Sequence, residues 1–488
     1  CDLNLAGDPT AAVVGVRKIA ADFAIDPFWL DTGNHVSWIE WDIPNMPWMA
    51  SRLVSARADG TGPVDNIVSS ESTSVSQASL SPDGTHLAFI CDQTGWPVVW
   101  VADADGSNSR PLCDTEGVEH SEPTWGPGQR SWCWSPDSRS IAFGRNAGGF
   151  WSLHVATIDE AEGAALPRQI GNGFHAGVNW SASGIISLSS PHGIVKMAGN
   201  HEGMISSMPL IDPLNCKVLA RGLVGGFEPS MMGNCEAVSW NSKGKDIHGR
   251  LYRGAIERDE ENPSPVLIWI HGGPMGQMGD LFNPRIAFFL ERGWSVLVPD
   301  FRGSSGWGRD YSAGLDEMWG VADVDDVAAG MEYVAKTDWA DRQLMVPIGA
   351  SSGGTCVLLL MARYPQLCAA GIDLYGVTDF LDLTLHTHRF EKHYNESLIG
   401  ALPGSEQRYR DRSPISQAQN ICSPILVLHG DRDKVVPIEQ SVELVSTIRE
   451  SGGQVSFHVY EGQGHGWSDP STVADELARI EEFLESVR

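Results

Sequence analysis

Two features of the 488-residue sequence predict a two-domain chain. The first half should form a short N-terminal β-propeller of about four to five blades. The second should form an α/β domain on a doubly wound, mostly parallel sheet. The propeller rests on a recurring step: Leu80-Ser81-Pro82-Asp83-Gly84-Thr85-His86-Leu87-Ala88-Phe89 resembles Trp134-Ser135-Pro136-Asp137-Ser138-Arg139-Ser140-Ile141-Ala142-Phe143. The α/β domain rests on short apolar runs at 266–270, 344–348 and 424–428, each followed by a loop rich in glycine and reactive side chains.

In chain order, residues 1–25 form a leading segment, and its Ala- and Val-rich stretch 9–23 is expected to be one helix. Residues 26–235 carry the repeat. Weaker copies begin at Leu30 and Trp180, and a fifth is expected in 190–230. Their spacing suits blades of four strands. The Ser-Pro-Asp-Gly step is a tight turn: Pro sets φ, Asp caps, and Gly takes a positive φ. The second copy has Ser138 where the first has Gly84. A plain β-sandwich is the competing fold for this half. Asp31, Asp83 and Asp137 read as turn formers rather than metal ligands. The domain boundary is expected near 235–244, where 238–249 reads as the first hairpin of a second domain spanning 236–488.

The chemistry lies in that second domain. Gly349-Ala350-Ser351-Ser352-Gly353 directly follows an apolar run and matches G-x-S-x-G, the strand-to-helix turn that exposes a nucleophilic serine. The run at 424–428 ends in His429-Gly430-Asp431-Arg432-Asp433. Either aspartate could orient a histidine there, and Asp433 is chosen. His465, between Gly464 and Gly466 after the alternating 455–460, is the candidate general base. The order Ser351, Asp433, His465 is that of an α/β-hydrolase. Upstream, His271-Gly272-Gly273-Pro274 follows the run 266–270. A Gly-Gly loop there can aim backbone N–H groups at an oxyanion, so the Gly273 and Ser352 amides are the expected donors. His271 and His429 are read as positioning residues. His386, His388 and His393 match no standard ligand spacing, so no metal is expected. Trp307, Trp319, Tyr375 and Phe380 are candidates for the substrate pocket, with ordinary core packing as the alternative.

These motifs, with Asp300-Phe301-Arg302-Gly303-Ser304-Ser305-Gly306-Trp307-Gly308 and Gly376-Val377-Thr378-Asp379, make residues 236–488 resemble the prolyl oligopeptidase family of serine peptidases, in its acylaminoacyl-peptidase and dipeptidyl-peptidase-like branches. The spacing from His429 fits that family's acid at Asp433. The resemblance implies a fuller propeller of about seven blades in a longer chain, so this one is expected to be short or open. It also implies that 1–25 packs back on the catalytic domain, that no cofactor is needed, and that self-association is an option. The implied function is a serine hydrolase that cleaves short peptides or acyl-amino acids through an acyl-enzyme. Three departures from the family bear on this. The N-terminal half has no adjacent glutamate pair of the kind that grips a substrate amino terminus, since Glu260-Glu261 falls in the second half and reads as a solvated loop. Val435 stands where many members carry an Arg that holds a substrate carbonyl, and Ser352 stands where Asn or Tyr is common. They leave an esterase or acyl transferase as the alternative, and a non-catalytic binding scaffold as a remote one.

Composition narrows the partners. There are 34 basic and 62 acidic residues, for a formal charge of −28. Such a chain is not expected to bind nucleic acid or an anionic membrane. No apolar run is long enough to span a bilayer. The nine cysteines lack close paired spacing, and several sit in apolar runs, so a reducing, cytoplasmic setting is expected. The chain begins at Cys1, as a cleaved lipoprotein does, so an exported or lipid-anchored form is the alternative.

Overall fold

A computed structural model describes residues 21–30, 33–69, 72–158, 166–189, 193–197, 216–220, 235–256, 261–280 and 282–488. The chain divides into two compact units. One is Cys1–Leu223 with Gly279–Leu281 and Gly306–Arg309; the other is Val224–Met278 with Phe282–Ser305 and Asp310–Arg488. The helix expected over 9–23 lies outside the described residues, apart from its end, where Phe23 opens a strand.

The N-terminal unit is made of antiparallel sheets in sequence order. The first is β1 (Phe23–Trp29), β2 (His35–Trp41), β3 (Arg52–Arg57) and β4 (Val64–Val68). The second is β5 (Val75–Leu80), β6 (His86–Cys91), β7 (Val98–Asp103) and β8 (Arg110–Pro111). The third is β10 (Trp132–Trp134), β11 (Ser140–Ala147), β12 (Phe150–Thr157) and β13 (Arg168–Asn172), with β9 (Val118–Glu119) pairing to β11. The fourth is β14 (His175–Ser181), β15 (Gly184–Ser189), β16 (Gly193–Met197) and β17 (Cys216–Ala220). Four-stranded meanders in succession are the signature of propeller blades. The sequence reading of 190–230 as a fifth copy needs correction: its described strands complete the fourth sheet.

The repeated turns behave as their residues demand. Gly84 has φ +73, and Ser138 takes the same left-handed region at φ 65 despite its Cβ. In each turn the leading serine hydroxyl donates to the aspartate two residues on, Ser81 to Asp83 at 2.6 Å and Ser135 to Asp137 at 2.7 Å. Ser138 also accepts the Asp83 N–H at 3.1 Å, which ties one turn to the next.

The C-terminal unit holds an eight-stranded sheet in the order β18-β19-β21-β20-β22-β23-β24-β25. Its strands are β18 (Cys235–Ser242), β19 (Lys245–Tyr252), β20 (Ser264–Ile270), β21 (Ser295–Asp300), β22 (Ala340–Ala350), β23 (Gly371–Leu374), β24 (Ile425–Gly430) and β25 (Val455–Tyr460). The β18–β19 and β19–β21 pairs are antiparallel and the rest parallel. Both faces are buried, as a parallel sheet requires. Along β20, Val266, Ile268 and Ile270 point into one core with helices α2 (Ala322–Val334), α3 (Ser352–Arg363) and α4 (Ile438–Glu450). Leu267 and Trp269 point into the other, with α1 (Pro284–Glu291) and α5 (Pro470–Ser486). This two-residue alternation with apolar side chains on both faces is why these strands read as continuous apolar runs. No helix among the described residues is long and apolar enough to cross a membrane.

Two contacts fix the antiparallel end of this sheet. Arg250 of β19 forms a fully buried bidentate pair with Asp300, at 3.0 and 2.8 Å. Trp240 of β18 donates its indole N–H to the Asp326 carbonyl of α2 at 2.9 Å. Its ring is held between Gly249 and Gly330, where an added Cβ would fall 2.9 and 2.7 Å from ring carbons. Gly330 lies inside α2, where alanine would favour the helix by about 1 kcal/mol. Overpacking costs about 1–3 kcal/mol, and the indole is bonded in place, so the clash should win. Gly330→Ala is expected to lower the melting temperature, and Trp240→Leu in the same chain to recover part of the loss. Thermal unfolding followed by circular dichroism checks both.

Candidate active site

Ser351 sits between β22 and α3 with φ 54 and ψ −125, a strained conformation for any residue with a Cβ. It is held from several sides. Its N–H donates to the Leu374 carbonyl of β23 at 3.0 Å, and its carbonyl accepts the Thr355 N–H at 3.0 Å. The turn is too tight for side chains at its glycines. A Cβ on Gly353 would lie 2.3 Å from the Ile270 carbonyl oxygen, and one on Gly349 would lie 2.4 Å from Gly353. The G-x-S-x-G spacing is thus a packing requirement. The loop after β20 presses on the same place: a Cβ on Gly272 would lie 3.4 Å from the Ser351 Cβ.

That loop carries Gly273, at φ +129, and its position is fixed by His271. The imidazole stacks on Phe301 at 4.4 Å, and its Nε2 lies 2.7 Å from Ser304 Oγ. Burial lowers its pKa and keeps it neutral. Ser352 opens α3 and is buried, and its hydroxyl accepts the Trp319 indole N–H at 3.2 Å.

Asp433 and His465 meet in the loops after β24 and β25. His465 Nδ1 lies 2.7 Å from Asp433 Oδ2. The other carboxylate oxygen accepts the N–H groups of Val435 and Val436 at 2.8 and 2.9 Å. His429 adds a third side: its Nε2 is 3.4 Å from Asp433 Oδ2 and 3.0 Å from the Val436 carbonyl. A carbonyl can only accept, so that nitrogen carries the proton, and Nδ1 accepts from Ser441 Oγ at 2.7 Å. Burial pushes the Asp433 carboxyl up, but hydrogen bonds from His429 and His465 outweigh it and hold the group far below the usual carboxylate range. Asp431, the other candidate, is exposed and accepts the Gly462 N–H at 2.6 Å, which is a turn role.

Tyr375 links His465 to the strand ends. It has φ 44, its N–H donates to the Leu428 carbonyl at 2.9 Å, and its ring meets His465 edge to face at 4.9 Å. Trp467 packs on the same ring at 5.3 Å and donates its indole N–H to Glu476 Oε2 at 2.6 Å. Glu476, on α5 and nearly fully buried, takes a bidentate pair from Arg285 of α1 at 2.9 and 2.8 Å. These side chains, with Trp269, Asn283, Ala350, Leu374, Gly466 and Ser468, line a cavity of about 530 Å³ beside His465.

The other predicted residues are placed differently. Trp319 and Phe380 are buried with their rings 4.3 Å apart, one on the Ser352 hydroxyl. Trp307 belongs to Gly306–Arg309, which groups with the N-terminal unit. Sequence reasoning passed over Arg285 and Glu476, because 191 positions separate them and neither lies in a motif. It also passed over Asp373. This aspartate lies fully buried on β23 and accepts the Gly376 N–H at 3.0 Å with Oδ1. Its Oδ2 has no hydrogen-bond partner among the described residues. Burial raises its pKa to about 7. Its one sequence sign is a charge inside an apolar strand. No group of three or more His, Cys, Asp and Glu among the described residues is arranged to hold a metal ion.

A strained serine, a histidine on a buried carboxylate, and a glycine loop against the serine form a set suited to acyl transfer. Residues 281–487 match the model of the prolyl oligopeptidase family, and residues 51–171 match the lipoprotein LpqB beta-propeller domain. The chain is 28% identical over 229 residues to dipeptidyl peptidase family member 6 of Caenorhabditis elegans, covering 46% of this chain and 31% of that protein. It is 27% identical over 227 residues to the acylamino-acid-releasing enzyme of Arabidopsis thaliana, covering 44% of this chain and 29% of that protein. The alignments thus span about a third of the length of these two relatives. A crystal structure of puromycin hydrolase superposes with a TM-score of 0.85 at 25% identity, covering 96% of this chain and 70% of the other.

The Asp373 carboxyl is neutral in the folded protein up to about pH 7, whereas an unfolded aspartate ionises near ~4. Its contribution to stability is therefore complete below that lower value and is lost as pH rises through about 7. Asp373→Asn removes this dependence. Relative to wild type, the melting temperature of the variant is expected to rise between about pH 5 and about pH 8. A gap that stays constant or shrinks in calorimetry would sink the assignment.

Proposed function

We propose, from the match of residues 281–487 to the prolyl oligopeptidase family model, that this chain is a serine hydrolase that cleaves short peptides or acyl-amino acids through an acyl-enzyme on Ser351. The observation that carries the reading is the 2.7 Å bond from His465 to the buried Asp433 carboxylate, in a unit whose β22 ends at the strained Ser351.

The steps follow from these groups. His465 takes the Ser351 hydroxyl proton as Oγ attacks the substrate carbonyl. Asp433 fixes the imidazole with its Nδ1 proton inward and stabilises the imidazolium, and its low pKa keeps it charged throughout. The oxyanion takes hydrogen bonds from the Gly273 and Ser352 amides, and one such donor contributes ~3 kcal/mol. The C–N bond breaks as His465 returns the proton to the leaving amine. Water then attacks the ester, and the same base releases the acid.

A second reading, an esterase or acyl transferase, is favoured by Val435. Its backbone N–H is bonded to Asp433, and its apolar side chain offers no donor to a peptide carbonyl. For the compartment, the buried thiols of Cys91, Cys113, Cys356 and Cys368 favour a reducing one, against an exported form.

Purified wild type and Ser351→Ala, assayed on acyl-amino-acid anilides, aminoacyl-prolyl anilides and p-nitrophenyl esters, separate the readings. The peptidase reading expects amide cleavage that disappears in the variant. Ester cleavage alone, equally dependent on Ser351, would move the function to the second reading. Asp433→Asn is expected to lower kcat by ~10⁴-fold, measured on whichever substrate wild type turns over.

A further inference from the structure

The cavity beside His465 is larger than proton transfer requires. We propose that it binds the amine-side half of a short peptide, with Arg285 and Asn283 receiving that half's terminal carboxylate. This rests on the reading of the chain as a peptide-cleaving serine hydrolase.

Position comes first. The cavity wall includes Ala350, the neighbour of the nucleophile, and His465 with Gly466. The leaving amine takes its proton from His465, so the residues beyond that amine depart past the imidazole. The cavity has that same imidazole in its wall. Its volume of about 530 Å³ is in the range of small-ligand sites.

Chemistry comes second. Trp269, Tyr375 and Trp467 supply aromatic walls for one or two side chains. Arg285 spends Nε and Nη2 on Glu476, so its Nη1 edge is left over from that pair, and the side chain is 30% exposed. Glu476 is already answered by the guanidinium and the Trp467 indole, which lowers its repulsion of a second carboxylate. The pair also holds the guanidinium rigid, so little side-chain entropy remains to be lost on binding. Asn283 spends Oδ1 on the N–H groups of Arg285 and Ile286, and one N–H of its amide faces Met278 Sδ at 3.9 Å, so what it offers the cavity is the second N–H of that NH₂. A chamber with aromatic walls, a guanidinium and an amide NH₂ fits a free peptide C-terminus.

The test uses two internally quenched peptides with the same acyl half, one ending in a free carboxylate and the other in a carboxamide. Wild type is expected to favour the carboxylate by ~10-fold or more in kcat/KM. In Arg285→Lys that ratio should fall toward one. A residue that only braces the loop would slow both peptides alike and leave the ratio intact, which would overturn the proposal. Equal rates in wild type would overturn it too. Binding separates this outcome from failure of the peptidase reading. Calorimetry on Ser351→Ala protein with alanyl-phenylalanine and its amide should show tighter binding of the free acid. That preference should be lost when Arg285→Lys is added. Binding of neither ligand, or equal binding of both, would reject the site even if peptides are cleaved.

Discussion

The C-terminal unit is organised around a serine held in a backbone conformation that serine resists. Forcing a residue with a Cβ to φ 54 costs on the order of 1–3 kcal/mol, and the surroundings must supply it. They do so through β22 and its neighbours. β20 lies on one side and lends the carbonyl against which Gly353 packs. β23 lies on the other and lends the carbonyl that accepts the Ser351 N–H. The parallel order β20-β22-β23-β24-β25 then brings the glycine loop, Ser351, Tyr375, Asp433 and His465 to the same ends of adjacent strands. The site is therefore a property of strand order before it is a property of any loop.

Two buried carboxylates near that crest are driven in opposite directions. Asp433 is surrounded by donors: two histidines and two backbone N–H groups. Asp373, on the neighbouring strand, has a single backbone donor, and burial prevails. The number of hydrogen bonds each receives decides which of them can serve as a standing negative charge. His429 matters in this light. It is unsuited to be a base, since both its nitrogens are engaged within the core, but it contributes to keeping Asp433 ionised.

What could be read from the sequence was whatever is encoded locally. The elbow at 349–353, the glycine loop and the turns at Asp83 and Asp137 are each set by contacts between residues close in the chain, so residue type and spacing reveal them. The alternation in β20 made both sheet faces visible in the same way. The blade count was less legible, because β16 and β17 carry no copy of the turn motif and their membership in the fourth sheet comes only from pairing. Arg285 and Glu476 were illegible for a related reason. An ion pair across 191 positions is created by α1 and α5 meeting on one sheet face, and nothing near either residue announces it. The choice of Asp433 over Asp431 rested on spacing, and the structure gives the physical difference: one carboxylate is enclosed by donors, and the other serves a surface turn.

The position of His465 relative to the sheet has a further consequence. β25, which leads into the His465 loop, is an edge strand and, among the described residues, pairs with β24 alone. Strands at an edge open more readily than those inside, with free energies well below that of global unfolding. The loop is tied to the body of the domain through a few side chains, His465 on Asp433 and Trp467 on Glu476 among them. Mild heat or denaturant should therefore silence this chain while most of its amides remain protected from exchange, so that the temperature at which activity is lost and the temperature at which the fold is lost are set by different parts of the same sheet.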